Sequence, residues 1–243
     1  MKTFTFANRC FKEIIRYPLT IIFGLGFPIV LLLLLSAIQA NIPVDLFKIE
    51  SLAPGVATFG LSFLTLFSST LISKDKESAL LERLYTTPLK SHNFILGYLL
   101  PLIPLALLQS IITYVVAICI GLTPSINILY AILLSIPMSI FFISLGLLCG
   151  SVFNVKQVGG ICGALVTNVS AWLSGVWFDI SLAGDVFYKI AKMLPFVHAV
   201  ELEKSIINES YNLILTNLYP VLIYAFVVTI IAIVLFLRQM KKR

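Results

Sequence analysis

The sequence predicts an all-α polytopic membrane protein with six transmembrane helices and both termini in the cytoplasm, and three observations predict it. The chain is 59% hydrophobic and 12% charged, with a mean hydropathy of +1.03, whereas an ordinary soluble domain is about 45–50% apolar and about 25% charged. Its apolar residues are gathered into six long runs, and its Lys and Arg residues fall in alternate connections between those runs.

The composition excludes several classes. A soluble domain of 243 residues could bury a core, but it would need a charged surface that most of this chain lacks. The net charge of +6 does not point to nucleic acid, because the basic residues lie in short segments between apolar runs rather than on one folded face. The expected surroundings are the lipid bilayer. Cys10, Cys119, Cys149 and Cys162 form no CxxC pair and read as packing residues.

A hydrocarbon core of about 30 Å takes roughly 20 helical residues, and backbone groups in lipid must be satisfied within the segment. The runs at 19–38, 52–72, 94–120, 126–150, 158–177 and 219–237 therefore read as helices within a single domain over 1–243. The first is too long for a signal-peptide core of about 7–15 residues, and Ala37 to Ala40 is a poor cleavage site, so it is expected to stay as helix one. The third carries Pro101 and Pro104 near its start, each removing a backbone donor, which predicts a kink or break there.

Orientation follows from the positive-inside rule. Lys2, Arg9, Lys12, Arg16, Lys74, Lys76, Arg83, Lys90, Lys156, Arg238, Lys241, Lys242 and Arg243 lie on one side. Only Lys48, Lys189, Lys192 and Lys204 lie on the other. On this topology Trp172 and Trp177 come toward the outer end of helix five and Tyr219 opens helix six there, as an aromatic belt requires.

Residues 3–17 place Phe4, Ala7, Phe11 and Ile14 on one stripe and Arg9, Lys12 and Arg16 on another. This is the pattern of an amphipathic helix in the inner interface, and a plain positive-inside anchor explains it equally well. In the outer segment, 178–218, residues 186–194 put Phe187, Ile190, Ala191 and Leu194 at helical spacing; Pro195 follows, and a second candidate helix covers 198–207. Asp179, Asp185, Glu201, Glu203 and Glu209 mark the segment as reaching solvent. His198 has no second metal ligand spaced near it, so no metal site is expected.

The connection between helices two and three reads Ser73-Lys-Asp-Lys-Glu-Ser-Ala-Leu-Leu-Glu-Arg-Leu-Tyr-Thr-Thr-Pro-Leu-Lys90. Ser73 or Asp75 can cap a short helix over 76–88, Leu80, Leu81, Leu84 and Tyr85 form its apolar stripe, and Pro88 stops it. Such a helix could rest on lipid headgroups. Glu77 and Glu82 interleaved with Lys76 and Arg83 suit a protein groove better than an anionic leaflet.

The stretch Glu77-Ser-Ala-Leu-Leu-Glu-Arg-Leu-Tyr-Thr-Thr-Pro-Leu resembles the cytoplasmic signature of ABC-2 type transporter permeases: a Glu, a small residue, Leu-Glu-Arg-Leu, then Thr-Pro-Leu. The six runs, the amphipathic N-terminal segment and the long outer segment extend the resemblance along the chain. It departs from the family at Ser78, where many members carry Gly, and in lacking the usual prolines around Phe178-Asp-Ile-Ser. The resemblance implies that Glu77, Leu80, Leu81, Glu82, Arg83, Leu84, Thr87 and Pro88 form a coupling helix seated in a separate ABC ATPase subunit. It also implies a second permease chain, identical or homologous, and short re-entrant helices at the outer leaflet in place of an ordinary loop.

Within the spans, Gly55, Thr58, Ser62, Thr65 and Ser69 line one face of helix two, and Gly159, Gly163, Thr167, Ser170 and Ser174 one face of helix five. Small, weakly polar faces usually let helices pack closely, and Gly146 to Gly150 in helix four is a further small-xxx-small match. The family resemblance implies a second role, in which Thr58, Ser62, Thr65, Ser69, Thr167, Ser170 and Ser174 line a pathway or a dimer interface. Gln109 and Asn168 are the strongly polar side chains deep in spans.

Absences decide more. No Asp, Glu, Lys, Arg or His lies in the middle of any run, which argues against ion coupling and proton relays. The chain has no Gly-x-x-x-x-Gly-Lys-[Ser/Thr] pattern, so it is expected to bind no cofactor itself, with ATP and Mg on the partner ATPase. The expected function is the permease half of an exporter in a bacterial cell membrane, moving an amphiphilic or hydrophobic cargo such as a drug, antimicrobial peptide or lipid-like molecule, with multidrug resistance as one outcome. Lipid-linked glycan export is the alternative cargo, and a passive channel or assembly factor the alternative class. An intramembrane enzyme is disfavoured. Trp172-Leu-Ser174-Gly175 is superficially like a serine motif, but its first position is not Gly and helix six offers no histidine base.

Overall fold

The computed structural model describes residues 2–18, 22–42, 47–78, 91–178 and 180–242, and among them every regular element is helical. Five helices have the length and composition to cross a membrane: Ile22–Gln39, Ile49–Glu77, Asn93–Ile120, Ile126–Val152 and Tyr211–Arg238. The remaining predicted span is also a helix, running from Val155 through Ser174, but its glycines, serines, Thr167 and Asn168 make it less apolar than the others.

Helix α1, Lys2–Arg16, is the amphipathic N-terminal segment. The first span opens with a π-helical stretch, Ile22–Gly26, and continues as α2, Phe27–Gln39. The second is built of α3, Ile49–Leu61, and α4, Phe63–Glu77, joined at Ser62. It runs past the expected limit of 72, so Lys76 and Glu77 belong to this helix rather than to a separate one. The rest of the expected coupling helix, Leu80, Leu81, Glu82, Arg83, Leu84, Thr87 and Pro88, lies outside the described residues.

The third run is broken where its prolines predict. Helix α5, Ser91–Leu99, ends before Pro101, and α6, Leu102–Ile120, begins after it, with Pro104 in the first turn where its missing N–H costs least. Helix α7, Ile126–Val152, is the fourth span. The expected fifth span is α8, Val155–Gly160, then a π-helical stretch, Ile161–Val166, then α9, Thr167–Ser174, ending at Gly175 with φ +71°, the left-handed conformation glycine adopts freely. The outer segment holds α10, Asp185–Met193, and α11, Pro195–Ile207. The latter starts three residues before the expected 198 because Pro195 fits the first helical turn. Helix α12, Ile214–Lys242, closes the chain.

The second span is the centre of the bundle. Residues 52–65 are buried without interruption, while α2, α6 and α12 expose Leu33, Leu34, Leu108, Ile111, Ile223 and Phe226 as a lipid-facing surface. Span two meets span four through glycines. A Cβ at Gly146 would stand 2.5 Å from the Thr65 carbonyl oxygen, and one at Gly150 2.7 Å from that of Ser69. With no side chain at either place, the two backbones approach closely enough for Thr65 and Ser68 to donate to the carbonyls of Phe142 and Ile143, at 3.0 Å each.

Several expectations change. On α1 the protein-facing residues are Phe6, Ala7, Cys10 and Ile14, while Phe4 and Phe11 point outward. The helix docks against α5, so its stripe is rotated toward Phe94 and Tyr98, whose rings Phe6 meets edge-on. Cys119 is exposed rather than packed, unlike the other three cysteines. On α10, Ile190 faces outward and Ala191 inward. Glu203 is not solvent-reaching: it is 2% exposed.

Candidate functional site

The charged end of the bundle is organised by three consecutive residues at the end of span two, each bound to a different helix. Asp75 accepts both terminal nitrogens of Arg9 on α1, at 2.5 and 2.6 Å, and the Tyr98 hydroxyl of α5 at 2.8 Å. The same guanidinium reaches Glu13 at 2.7 Å. Lys76 donates to the carbonyls of Gly150, Ser151 and Phe153, at 3.1, 3.0 and 2.6 Å. This places a cation on the C-terminus of α7, where the helix dipole favours one. The Glu77 carboxylate accepts the Val155 backbone N–H at 2.9 Å, at the start of span five.

Local sequence explains the placement. Four of the five residues Ser73-Lys-Asp-Lys-Glu77 are charged, which ends the apolar run, yet the helix continues a full turn beyond it because every charge finds a partner. Asn154 and Gln157 form a capping box that starts α8 beside Glu77. Lys74 points elsewhere, lying over the Tyr17 ring at 3.4 Å. Gly97 completes the α1–α5 contact, since a Cβ there would stand 2.2 Å from the Phe6 ring.

The electrostatics are those of a partly dry cluster. Burial alone would lower the Arg9 pKa, but its bonds and charge pairing with Asp75 raise it on balance, so the guanidinium is held charged. Burial pushes the Cys10 thiol up to about 12 and raises Glu13 as well. An ion pair in this setting positions the helices, and removing Arg9 would leave the buried Asp75 carboxylate without its charge partner.

A second polar cluster lies deeper, where spans two and three meet α11. Glu203 accepts the Tyr114 hydroxyl at 2.7 Å. Thr58 Oγ1 faces the same carboxyl without meeting hydrogen-bond geometry. Burial pushes the Glu203 carboxyl up to about 8, with Tyr114 and Thr58 pulling it part of the way back. One turn along, Gln109 donates to the Ala57 carbonyl and the Thr113 hydroxyl, both at 3.3 Å, while its Oε1 and the Ser62 hydroxyl find no partner among the described residues. Gly60 leaves room for that amide, because a Cβ there would stand 2.2 Å from Nε2.

Of the seven candidate pathway residues, Thr65 and Ser69 bond to backbone on spans four and two. Thr167, Ser170 and Ser174 bond to carbonyls one turn back on their own helix. Thr58 faces the Glu203 carboxyl, and the Ser62 hydroxyl finds no partner among the described residues. All seven are buried inside this protomer. Asn168 donates to the Ala164 carbonyl at 2.7 Å on the exposed side of span five. His198 lies between Asn217 at 3.0 Å and the Lys192 carbonyl at 2.9 Å, and no cluster among the described residues has the make-up of a metal site.

Sequence reasoning offered Asp75 only as a helix cap, whereas it lies inside α4, offered Glu203 only as a solvent-reaching acid, and did not single out Tyr98. Asp75 carried a signal as the one acid between two lysines at the end of an apolar run, whereas the burial of Glu203 depends on where α11 folds back and has no local signature. A search among curated proteins finds no match. Residues 1–207 match the family model described as ABC-2 type transporter. That match covers most of the chain, and the protein belongs to the ABC-2 type transporter family.

Proposed function

We propose that this multi-pass membrane protein, the permease subunit of an ABC-type transporter, works outward, with ATP hydrolysed on a separate subunit that docks on the coupling segment 76–88. Support comes from the grip of Asp75, Lys76 and Glu77 at the start of that segment. A push there reaches α1 and α5, span four and span five at once, so a displacement at one point would shift several helices as a body. On this reading both termini are cytoplasmic, six helices cross the membrane, and ATP and Mg belong to the partner.

The transporter would be dimeric. The exposed face of span five carries Gly160, Ala164, Asn168 and Trp172 at four-residue spacing, a surface small enough near one end for another helix to approach. Because no ionisable side chain lies in the middle of any span, the cargo is amphiphilic or hydrophobic.

The test is co-purification in mild detergent from the native host, followed by ATPase assays on the reconstituted complex. A Walker-motif ATPase in equal amount, stimulated by amphiphiles, is the expected result. Reversing the charges of Glu82 and Arg83 should lower ATP-driven transport while leaving insertion intact. Normal coupling in that double variant would reject the docking assignment.

A further inference from the structure

A cavity of about 300 Å³ opens at the charged end of the bundle, between α1 and spans one, two and five. Phe23, Leu66 and Phe67 give it an apolar floor, and Glu13, Tyr17 and Lys74 form its mouth. Lys74 and Phe67 are seven residues apart on one helix, so mouth and floor are about 10 Å apart. The walls are unusually shaped for membrane helices. Phe23 lies in the π-helical opening of span one, and Gly159, on the opposite wall, stands two residues before the π-helical stretch of span five. An added Cβ at Gly159 would meet nothing within 4 Å, so that wall is open. Turns of this kind occur often at functional sites.

The charges at the mouth are not equivalent. Glu13 is held by Arg9, which also holds Asp75. The Lys74 ammonium rests on the Tyr17 ring and has no carboxylate within 4 Å among the described residues. Arg16 and Lys156, sequence neighbours of the lining residues Tyr17 and Val155, are both exposed and add positive charge to this end of the bundle.

We infer that this cavity binds an anionic amphiphile, an alkyl or acyl chain on Phe23, Leu66 and Phe67 with a phosphate or carboxylate headgroup on Lys74. The chain would be drawn from the leaflet that bathes this end of the bundle, and its binding requires neither ATP nor the transported cargo. The floor gives the chain a shaped apolar contact, and the cation selects the headgroup.

The test uses the full chain in phosphatidylcholine vesicles containing a minor fraction of phosphatidylglycerol with brominated chains, a quencher of tryptophan. Trp172→Phe and Trp177→Phe remove the native fluorophores; Phe23→Trp reports on the cavity and Leu108→Trp on a lipid-exposed site elsewhere. Phe23→Trp should be quenched as though the anionic lipid were enriched roughly five-fold over the bulk, the effect of one Lys at a membrane surface. Leu108→Trp should follow the bulk fraction. Adding Lys74→Glu should abolish the enrichment and Lys74→Arg should preserve it. Bulk-level quenching at Phe23→Trp, or enrichment that survives Lys74→Glu, would overturn the assignment, as would equal enrichment with brominated phosphatidylcholine. If Phe23→Trp fails to fold, Tyr17→Trp at the mouth takes its place with the same expected outcomes.

Discussion

Glu203→Gln isolates the buried carboxyl of α11 with little change of shape. In the native protein the group titrates near 8 instead of the usual 4.5, because burial disfavours its charged form. Between those two values the folded protein holds a proton that the unfolded chain has released. The stabilising contribution is therefore complete below the unfolded pKa and is lost as pH rises toward the folded one. One proton corresponds to about 1.4 kcal/mol per pH unit, so raising the pH from about 5.5 to about 7.5 should cost roughly 3 kcal/mol. For a chain of this size that is a fall in Tm of roughly 6–12 °C. The Gln variant cannot ionise, its carbonyl can still accept from Tyr114, and its amide can donate to the unpartnered Thr58 hydroxyl. Thermal unfolding in detergent across this pH range should show the decline in the parent and lose most of it in Glu203→Gln, Glu13 leaving a residual slope of the same sign. Equal slopes in the two proteins would refute the burial argument.

Asp75→Asn should lower thermal stability by about 1–3 kcal/mol, since it leaves the half-exposed Arg9 paired only with Glu13 and Tyr98 facing a neutral amide, and combining it with Arg9→Met should cost less than the two separate losses added. Cys10 should resist a water-soluble maleimide at neutral pH in the parent, being fully buried with its thiol pushed up to about 12, and should become reactive in Asp75→Asn as α1 loosens. Gly146→Val should force spans two and four apart at the Thr65 carbonyl and cost about 1–3 kcal/mol or more, read as a lower Tm, whereas Gly159→Ala should be tolerated. Cys149 and Cys162 pack in one small buried cluster with Val158, so a membrane-permeant oxidant should join spans four and five within one chain, and Cys149→Ser should abolish that band on peptide mapping.

Much of the architecture was legible because lipid imposes a single requirement. Backbone groups away from water must bond within their own helix, so each apolar run had one structural solution, and proline alone marked the break between α5 and α6. The N-terminal segment was readable as a helix for the same periodic reason, although its docking face was not. Periodicity reports that a stripe exists; it does not say that Phe6 and Cys10 meet α5 while Phe4 and Phe11 turn away.

Residue types and spacing alone determined the membrane class, the family signature from Glu77 to Pro88, the absence of a nucleotide-binding motif and the lack of charge in mid-span. Only the tertiary structure decided which small polar residues are buried and bonded to backbone, that Asp75, Lys76 and Glu77 grip four helices, and that Glu203 is buried against Tyr114. Each of these depends on groups 20 to 90 residues apart meeting in space, such as Arg9 with Asp75 and Tyr114 with Glu203. The physical reason is range. Hydrophobicity and helix periodicity act within a few turns, while burial, charge pairing and pKa are set by whichever helices the fold brings alongside.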